Sequence, residues 1–226
     1  MQIPELNLND NVILDLELPK DKTHMTLKYL YSNYLLGDDI LYTEIPENVL
    51  IEIEKDIHQI PDQILVDRAS KSRSRLAGDI SKEFHFRKDE TPFIYDQTKN
   101  ILLKTLSETL PIHDIFLDEM WINFQHANEH NPLHSHNGLL SFVYYLNVPE
   151  TIRLELDDQG SSTNARTRGA IQFLSSYTAC SMTILPKRGD MFIFNASHRH
   201  LVYPFYNEGQ RVSISGSILY CTHHNY

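Results

Sequence analysis

Six of the twelve histidines in this 226-residue chain fall in two short windows: His126, His130, His134 and His136 in the first, His198 and His200 in the second. Scattered surface histidines do not crowd in this way. In His134-Ser135-His136 the imidazoles stand at i and i+2, which an extended chain turns to the same side, so both can meet one ion. A third ligand has to come from elsewhere in the fold, and His200 opens an expected strand after a Gly189-Asp190 turn. Two imidazoles from one strand end and one from a distant strand make a metal site that leaves positions open for substrate or oxygen. The competing account is a pair of polar loops with accidental crowding and no metal.

The last strand bears on that choice. In 211–218, Arg211, Ser213, Ser215 and Ser217 share one face, and Val212, Ile214 and Ile218 share the other. A guanidinium with a hydroxyl two residues on is a receptor for a carboxylate, since Arg offers a planar fork and Ser a further donor. Such a face belongs either to a lined cavity or to an outer surface in solvent. Trp121, Asn123 and Gln125 also share a face, just upstream of the first histidine window. They read either as a pocket wall with a few polar orienting groups or as a core Trp with solvated amides.

The segments 131–136 (Asn-Pro-Leu-His-Ser-His) and 141–147, then 189–194, His198-Arg199-His200-Leu201-Val202 and Arg211-Val212-Ser213, together resemble the 2-oxoglutarate and Fe(II)-dependent oxygenases. The likeness is to the prolyl-hydroxylase-like branch and to uncharacterised phage and bacterial members, and it covers roughly residues 116 to 220. It implies His134 as the first iron ligand and His200 as the distal one. The pair Leu201-Val202 directly after His200 selects it over His198, which becomes a neighbour of the ligands. Arg211, helped by Ser213, would take the far carboxylate of 2-oxoglutarate, and Tyr145 would reach the same group. The usual motif is His-x-Asp or His-x-Glu. Here His136 stands in the carboxylate position, giving a three-histidine set that leaves Fe(II) one charge more positive. Glu129 and Asp190 are the alternative carboxylates, neither at a strand-compatible offset from His134.

Elements must position these groups. From about Phe116 onward, strands are expected at 116–125, 139–148, 170–174, 181–185, 190–195, 200–205 and 211–220, separated by Gly, Pro, Asn and Asp, with no helix-length periodic segment among them. Residues 157–168 read as an inserted loop. The first half is mixed. A strand is expected at 12–18, and a helix opens at Pro46 with Val49, Leu50, Ile53 and Ile57 on one face. In a second helix Thr91 caps, Pro92 takes the first position, and Ile94, Ile101, Leu102 and Leu106 hold one face until Pro111. The basic, serine-rich run 68–75 reads as an exposed connector or a mobile lid.

The expected architecture is mainly β with α. Residues 115–226 form a double-stranded β-helix, a cupin-like jelly roll, and residues 1–114 an N-terminal α/β extension packed on it, the whole one structural unit. Composition agrees, with 41% hydrophobic residues and 22% charged ones. The net charge of −10 weighs against phosphate backbones and anionic lipid as partners. Two cysteines are too few for a disulfide framework or a thiolate zinc site, and no apolar run of about 18 residues or leader-like start occurs. A cytoplasmic setting follows as the expectation, the host's for a phage-encoded chain. The resemblance implies hydroxylation of a small-molecule or peptide substrate with Fe(II) and 2-oxoglutarate, giving succinate and carbon dioxide. A cupin-like three-histidine metalloenzyme without the keto acid, and a non-catalytic jelly-roll binding protein, are the alternatives.

Overall fold

Strands form where the second half of the sequence alternates, and their register decides which residues meet. The computed structural model describes residues 28–30, 40–60, 78–108, 112–158, 167–175 and 180–223. The strand expected at 12–18, the run 68–75 and part of the loop 157–168 lie outside the described residues.

In chain order the elements are β1 (Lys28–Leu30), β2 (Ile40–Glu44), α1 (Glu47–His58), β3 (Glu83–His85), α2 (Pro92–Ser107), β4 (Ile112–His126), β5 (Asn131–His134) and β6 (Leu140–Asn147). There follow α3 (Glu150–Asp158), β7 (Ile171–Leu174), β8 (Ser181–Ile184), β9 (Asp190–Asn195), β10 (His200–Val202) and β11 (Gln210–His223). A seven-stranded sheet runs β1-β2-β9-β6-β11-β4-β3 and a four-stranded sheet runs β5-β10-β7-β8. Every described pairing is antiparallel. This is a jelly roll, with β1, β2 and β3 of the first half extending the large sheet at both edges.

Ile214 of β11 lies between Ile122 of β4 and Tyr144 of β6, while Ser213 lies between Asn123 and Tyr145. Opposed residues on neighbouring antiparallel strands share a face. The first row joins a core with Leu50 and Ile53 of α1 and Ile94 and Leu102 of α2. The helices therefore cover one face of the large sheet. Each of these buried side chains contributes about 1.5–3 kcal/mol. The opposite face meets the small sheet through Tyr42, Val143, Tyr145, Phe173, Phe192 and Phe194, and the polar row lies on this side.

Some local expectations change. Thr91 sits at the N-cap of α2, but its hydroxyl donates backwards to the Arg87 carbonyl at 2.9 Å and makes no side-chain cap. The 150–158 segment is helical despite lacking an apolar stripe; its Ile152 is fully buried and its Glu155 accepts the amides of Tyr206 and Asn207. The strand expected at 200–205 stops at Val202, two residues before Pro204, which has no N–H for a ladder. Among the described residues no helix is long and apolar enough to cross a membrane.

Candidate metal centre and its pocket

His134 ends the short strand β5, and His136 lies in the link from β5 to β6. β5 is held by pairing with β10, in which His134 and His200 are direct partners. The amide of His136 donates to the Ala196 carbonyl at 2.8 Å, which brings its ring back toward the other two. Ring centroids are 4.3 Å apart for His134 and His200, 4.9 Å for His134 and His136, and 5.1 Å for His136 and His200. One ligand atom from each lies within 4.8 Å of the others, a grouping that fits a metal ion.

The ring nitrogens are already sorted. His134 Nδ1 is 2.6 Å from the Pro132 carbonyl and His200 Nδ1 is 2.9 Å from the His198 carbonyl. A carbonyl only accepts, so Nδ1 carries the proton and Nε2 keeps its lone pair for a metal. Burial, with the neighbouring His134, holds His136 down at about 4 and His200 at about 3, and burial also lowers His134. All three are neutral at pH 7, the form that ligates.

Arg211 and Ser213 line the same cavity as the histidines, a space of about 110 Å³, together with Tyr145, Trp121, Asn123, Gln125 and Ser215. The Arg211 face therefore lines a cavity and not an outer surface, and the amides of Asn123 and Gln125 are buried in its wall, not solvated. Arg211 is only 2% exposed, and burial lowers its pKa. Its Nη1 donates to the Gly169 carbonyl and its Nη2 to Gln125 Oε1, and its Cζ lies 5.9 Å from the Tyr145 ring centroid. Among the described residues no carboxylate pairs with it. Burial outweighs the Arg211 charge at Tyr145, whose phenol is pushed up to about 12.

The alternative carboxylates are engaged elsewhere. Asp190 accepts from Tyr42 Oη at 2.9 Å and from the Lys187 amide at 2.7 Å. Glu129 accepts from the amides of Ser81 and His126. Neither joins the histidine group. His198 is buried against Phe173, outside the cavity lining; its carbonyl, not its ring, serves His200. Sequence reasoning missed Glu83, Gly78 and Asn131, which also line the cavity. Glu83-Phe84-His85 is too short for a readable period, and only its pairing with β4 brings Glu83 to this face.

Residues 119–216 match the family model described as "Putative 2OG-Fe(II) oxygenase". The matched segment contains all three histidines, Tyr145, Arg211 and Ser213, and it bears out the resemblance drawn from the motifs and the oxidoreductase class that goes with it. No curated protein matches the chain. Among solved structures, AviO1 from Streptomyces viridochromogenes Tue57 aligns with a TM-score of 0.52 at 9% identity, over 84% of this chain and 93% of that one. A Pseudomonas putida prolyl-4-hydroxylase aligns at 0.49 and 12% identity, over 82% and 94%. The viral collagen prolyl hydroxylase of Paramecium bursaria Chlorella virus-1, solved as its 2OG complex, aligns at 0.47 and 13%, over 78% and 94%. At 9% identity the AviO1 likeness is one of fold alone, and it agrees with the jelly roll built by the two sheets.

Proposed function

We propose that this chain, whose residues 119–216 carry the core of a 2OG-Fe(II) oxygenase, is a non-haem dioxygenase that hydroxylates its substrate while converting 2-oxoglutarate to succinate and carbon dioxide. The observation that carries this reading is a buried guanidinium, Arg211, with no carboxylate partner among the described residues, lining the same cavity as three convergent neutral imidazoles. A cupin-type metal site needs no such cation.

The donor set fits a divalent first-row ion, since imidazole suits iron and its neighbours in the series. His134, His136 and His200 would hold it, the first two from one end of β5 and the third from β10. Bound Fe(II), with 2-oxoglutarate as reductant and dioxygen as oxidant, supplies the oxidising chemistry, placing one oxygen atom in the substrate and one in succinate. The chain's part is binding and exclusion of water. Arg211 orients the far carboxylate of the keto acid with its fork, Ser213 adds a hydroxyl donor, and Tyr145 contributes a protonated phenol beside them. The aromatic layer of Phe173, Phe192 and Phe194 keeps the space between the sheets dry.

The three-histidine set without a carboxylate favours a second reading, a metalloenzyme that uses no keto acid. Calorimetric titration of the Fe(II)-loaded, oxygen-free protein with 2-oxoglutarate and with succinate separates the two. The dioxygenase binds 2-oxoglutarate, and Arg211→Lys weakens that binding by about 1–3 kcal/mol because charge remains but the fork is lost. Iron binding survives the substitution. A parent that binds iron and ignores 2-oxoglutarate sinks the dioxygenase reading in favour of the second.

A further inference from the structure

Glu83 lines the cavity, and among the described residues no cation meets it. It is 6% exposed and stands on β3, the edge strand of the large sheet. Its register partner is Asn123, which pairs onward with Ser213 and then Tyr145, so one polar row crosses four strands on the face turned to the small sheet. Among the described residues no Lys or Arg forms an ion pair with Glu83. Burial and the Glu129 carboxylate push its pKa up to about 7. Asn123, 4% exposed, has a buried Oδ1 that accepts no hydrogen bond from the described residues. Two residues back on the same face, the Trp121 ring lies 5.4 Å from the ring of His136. This part of the cavity thus joins a carboxyl without a cation partner and an amide oxygen without a donor, both among the described residues, to an indole beside the histidine centre.

We infer that Glu83, Asn123 and Trp121 form a substrate subsite that takes a cationic nitrogen, a primary ammonium or a guanidinium, and thereby presents the adjoining carbon chain to the metal centre. The inference rests on the reading of the three histidines as the reacting centre. A buried carboxylate is costly until a cation pairs with it, and a bound ammonium or guanidinium supplies that partner with charge-assisted hydrogen bonds. The amide of Asn123 accepts a further N–H once its oxygen is turned to the ligand. The indole face attracts the same cation and packs on its methylene stem. Arg211 faces the opposite demand on β11, so the cavity sorts an anionic cosubstrate from a cationic substrate. The cation can come from a free basic amino acid or from a Lys or Arg side chain in a peptide.

The test titrates the Fe(II)-loaded, oxygen-free protein, with and without 2-oxoglutarate, with L-arginine, L-lysine and end-blocked peptides carrying one Arg or one Lys. L-citrulline, Nε-acetyl-lysine and peptides containing them serve as neutral counterparts. The expected result is that at least one cationic ligand binds about tenfold or more tightly than its neutral counterpart, and that Glu83→Gln removes the preference. The arm that responds, free or peptide, identifies the source. Gln is nearly isosteric with Glu, and 2-oxoglutarate titration plus thermal unfolding of the same variant report whether its cavity is intact. Equal affinity for charged and neutral members, no binding of any of them, or a preference that persists in a folded Glu83→Gln protein overturns the subsite. A parent that discriminates cations through Glu83 yet ignores 2-oxoglutarate sinks the cosubstrate reading and leaves the subsite standing. The reverse pattern sinks the subsite alone.

Discussion

His134 and His200 are direct register partners across the β5–β10 pair, and their rings lie 4.3 Å apart. Their approach is fixed by backbone pairing rather than by the reach of long side chains. Each also has its Nδ1 against a carbonyl two residues earlier in the chain, that of Pro132 for His134 and that of His198 for His200. Identical local geometry on two strands leaves both Nε2 atoms in the ligating form.

The first prediction separates ligands from bystanders. His134→Ala, His136→Ala and His200→Ala should each bring bound iron to background by elemental analysis after anaerobic loading, whereas His130→Ala should not. His198→Ala keeps the carbonyl that orients His200 and should retain iron, while emptying a buried site at a stability cost of about 2 kcal/mol or more. Iron loss in a folded His198→Ala protein, or full iron in His200→Ala, would exchange their roles.

What could be read in advance was whatever the local pattern encodes. The alternation of Arg211, Ser213 and Ser215 with Val212, Ile214 and Ile218 predicts a strand between a polar and an apolar space, and β11 divides the cavity from the helix-backed core in that way. The stripe Leu50, Ile53, Ile57 likewise marks α1. The strand β5 was not legible, because Asn131-Pro132-Leu133-His134 has no alternation and takes strand form only through β10, some 66 residues later. Nor was α3, whose burial rests on Ile152 and on Glu155 meeting the amides of Tyr206 and Asn207. Glu83 escaped for the same reason. Its partner lies forty residues away, and only that pairing turns it toward the cavity that the three histidines line.

A second prediction concerns how Arg211 is held. Gln125 accepts from Arg211 Nη2 through Oε1 and donates through Nε2 to the Glu129 carbonyl, so its amide has one orientation. Gln125→Leu keeps much of the volume and removes both bonds. Stability should fall by about 1–3 kcal/mol, and the 2-oxoglutarate affinity should drop several-fold with iron content unchanged. Calorimetry on the loaded variant decides it; unaltered 2-oxoglutarate affinity would mean that Gly169 alone holds the fork.

The pH dependence of stability offers a third. The folded-state pKa of Glu83, about 7, lies above its ordinary value of 4.5. Between those values the folded chain keeps a proton that the unfolded chain releases, so this group's contribution is fully present below about pH 4.5 and is lost as pH rises through 7. Glu83→Gln cannot ionise. Its stability relative to the parent should rise by on the order of 2–3 kcal/mol between pH 5 and pH 8. Asp190, pushed up to about 6 by burial, has the same sign but is common to both proteins and cancels in the difference. Urea unfolding at the two pH values measures it, and a difference that does not vary with pH refutes the buried acid.

The fourth prediction follows Arg211 to its other anchor. Gly169, at φ +69°, offers its carbonyl to Arg211 Nη1, and a Cβ there would run into Ile152 Cγ2 of α3. Gly169→Ala therefore meets two penalties, a left-handed backbone that an L side chain resists by about 1 kcal/mol and an overpacked contact worth about 1–3 kcal/mol. Both push the carbonyl away from the guanidinium, so 2-oxoglutarate affinity should fall with the stability while the histidine centre, on β5 and β10, keeps its iron. Ile152→Ala alone empties a fully buried site and should cost about 2–5 kcal/mol. In the double variant the clash is gone and the backbone strain remains. The combined loss should then be smaller than the sum of the single losses by about 1 kcal/mol or more, and part of the 2-oxoglutarate affinity should return. Strict additivity in urea unfolding would show that the Ile152 contact does not set the position of the Gly169 carbonyl, and Arg211 would have to be held by Gln125 instead.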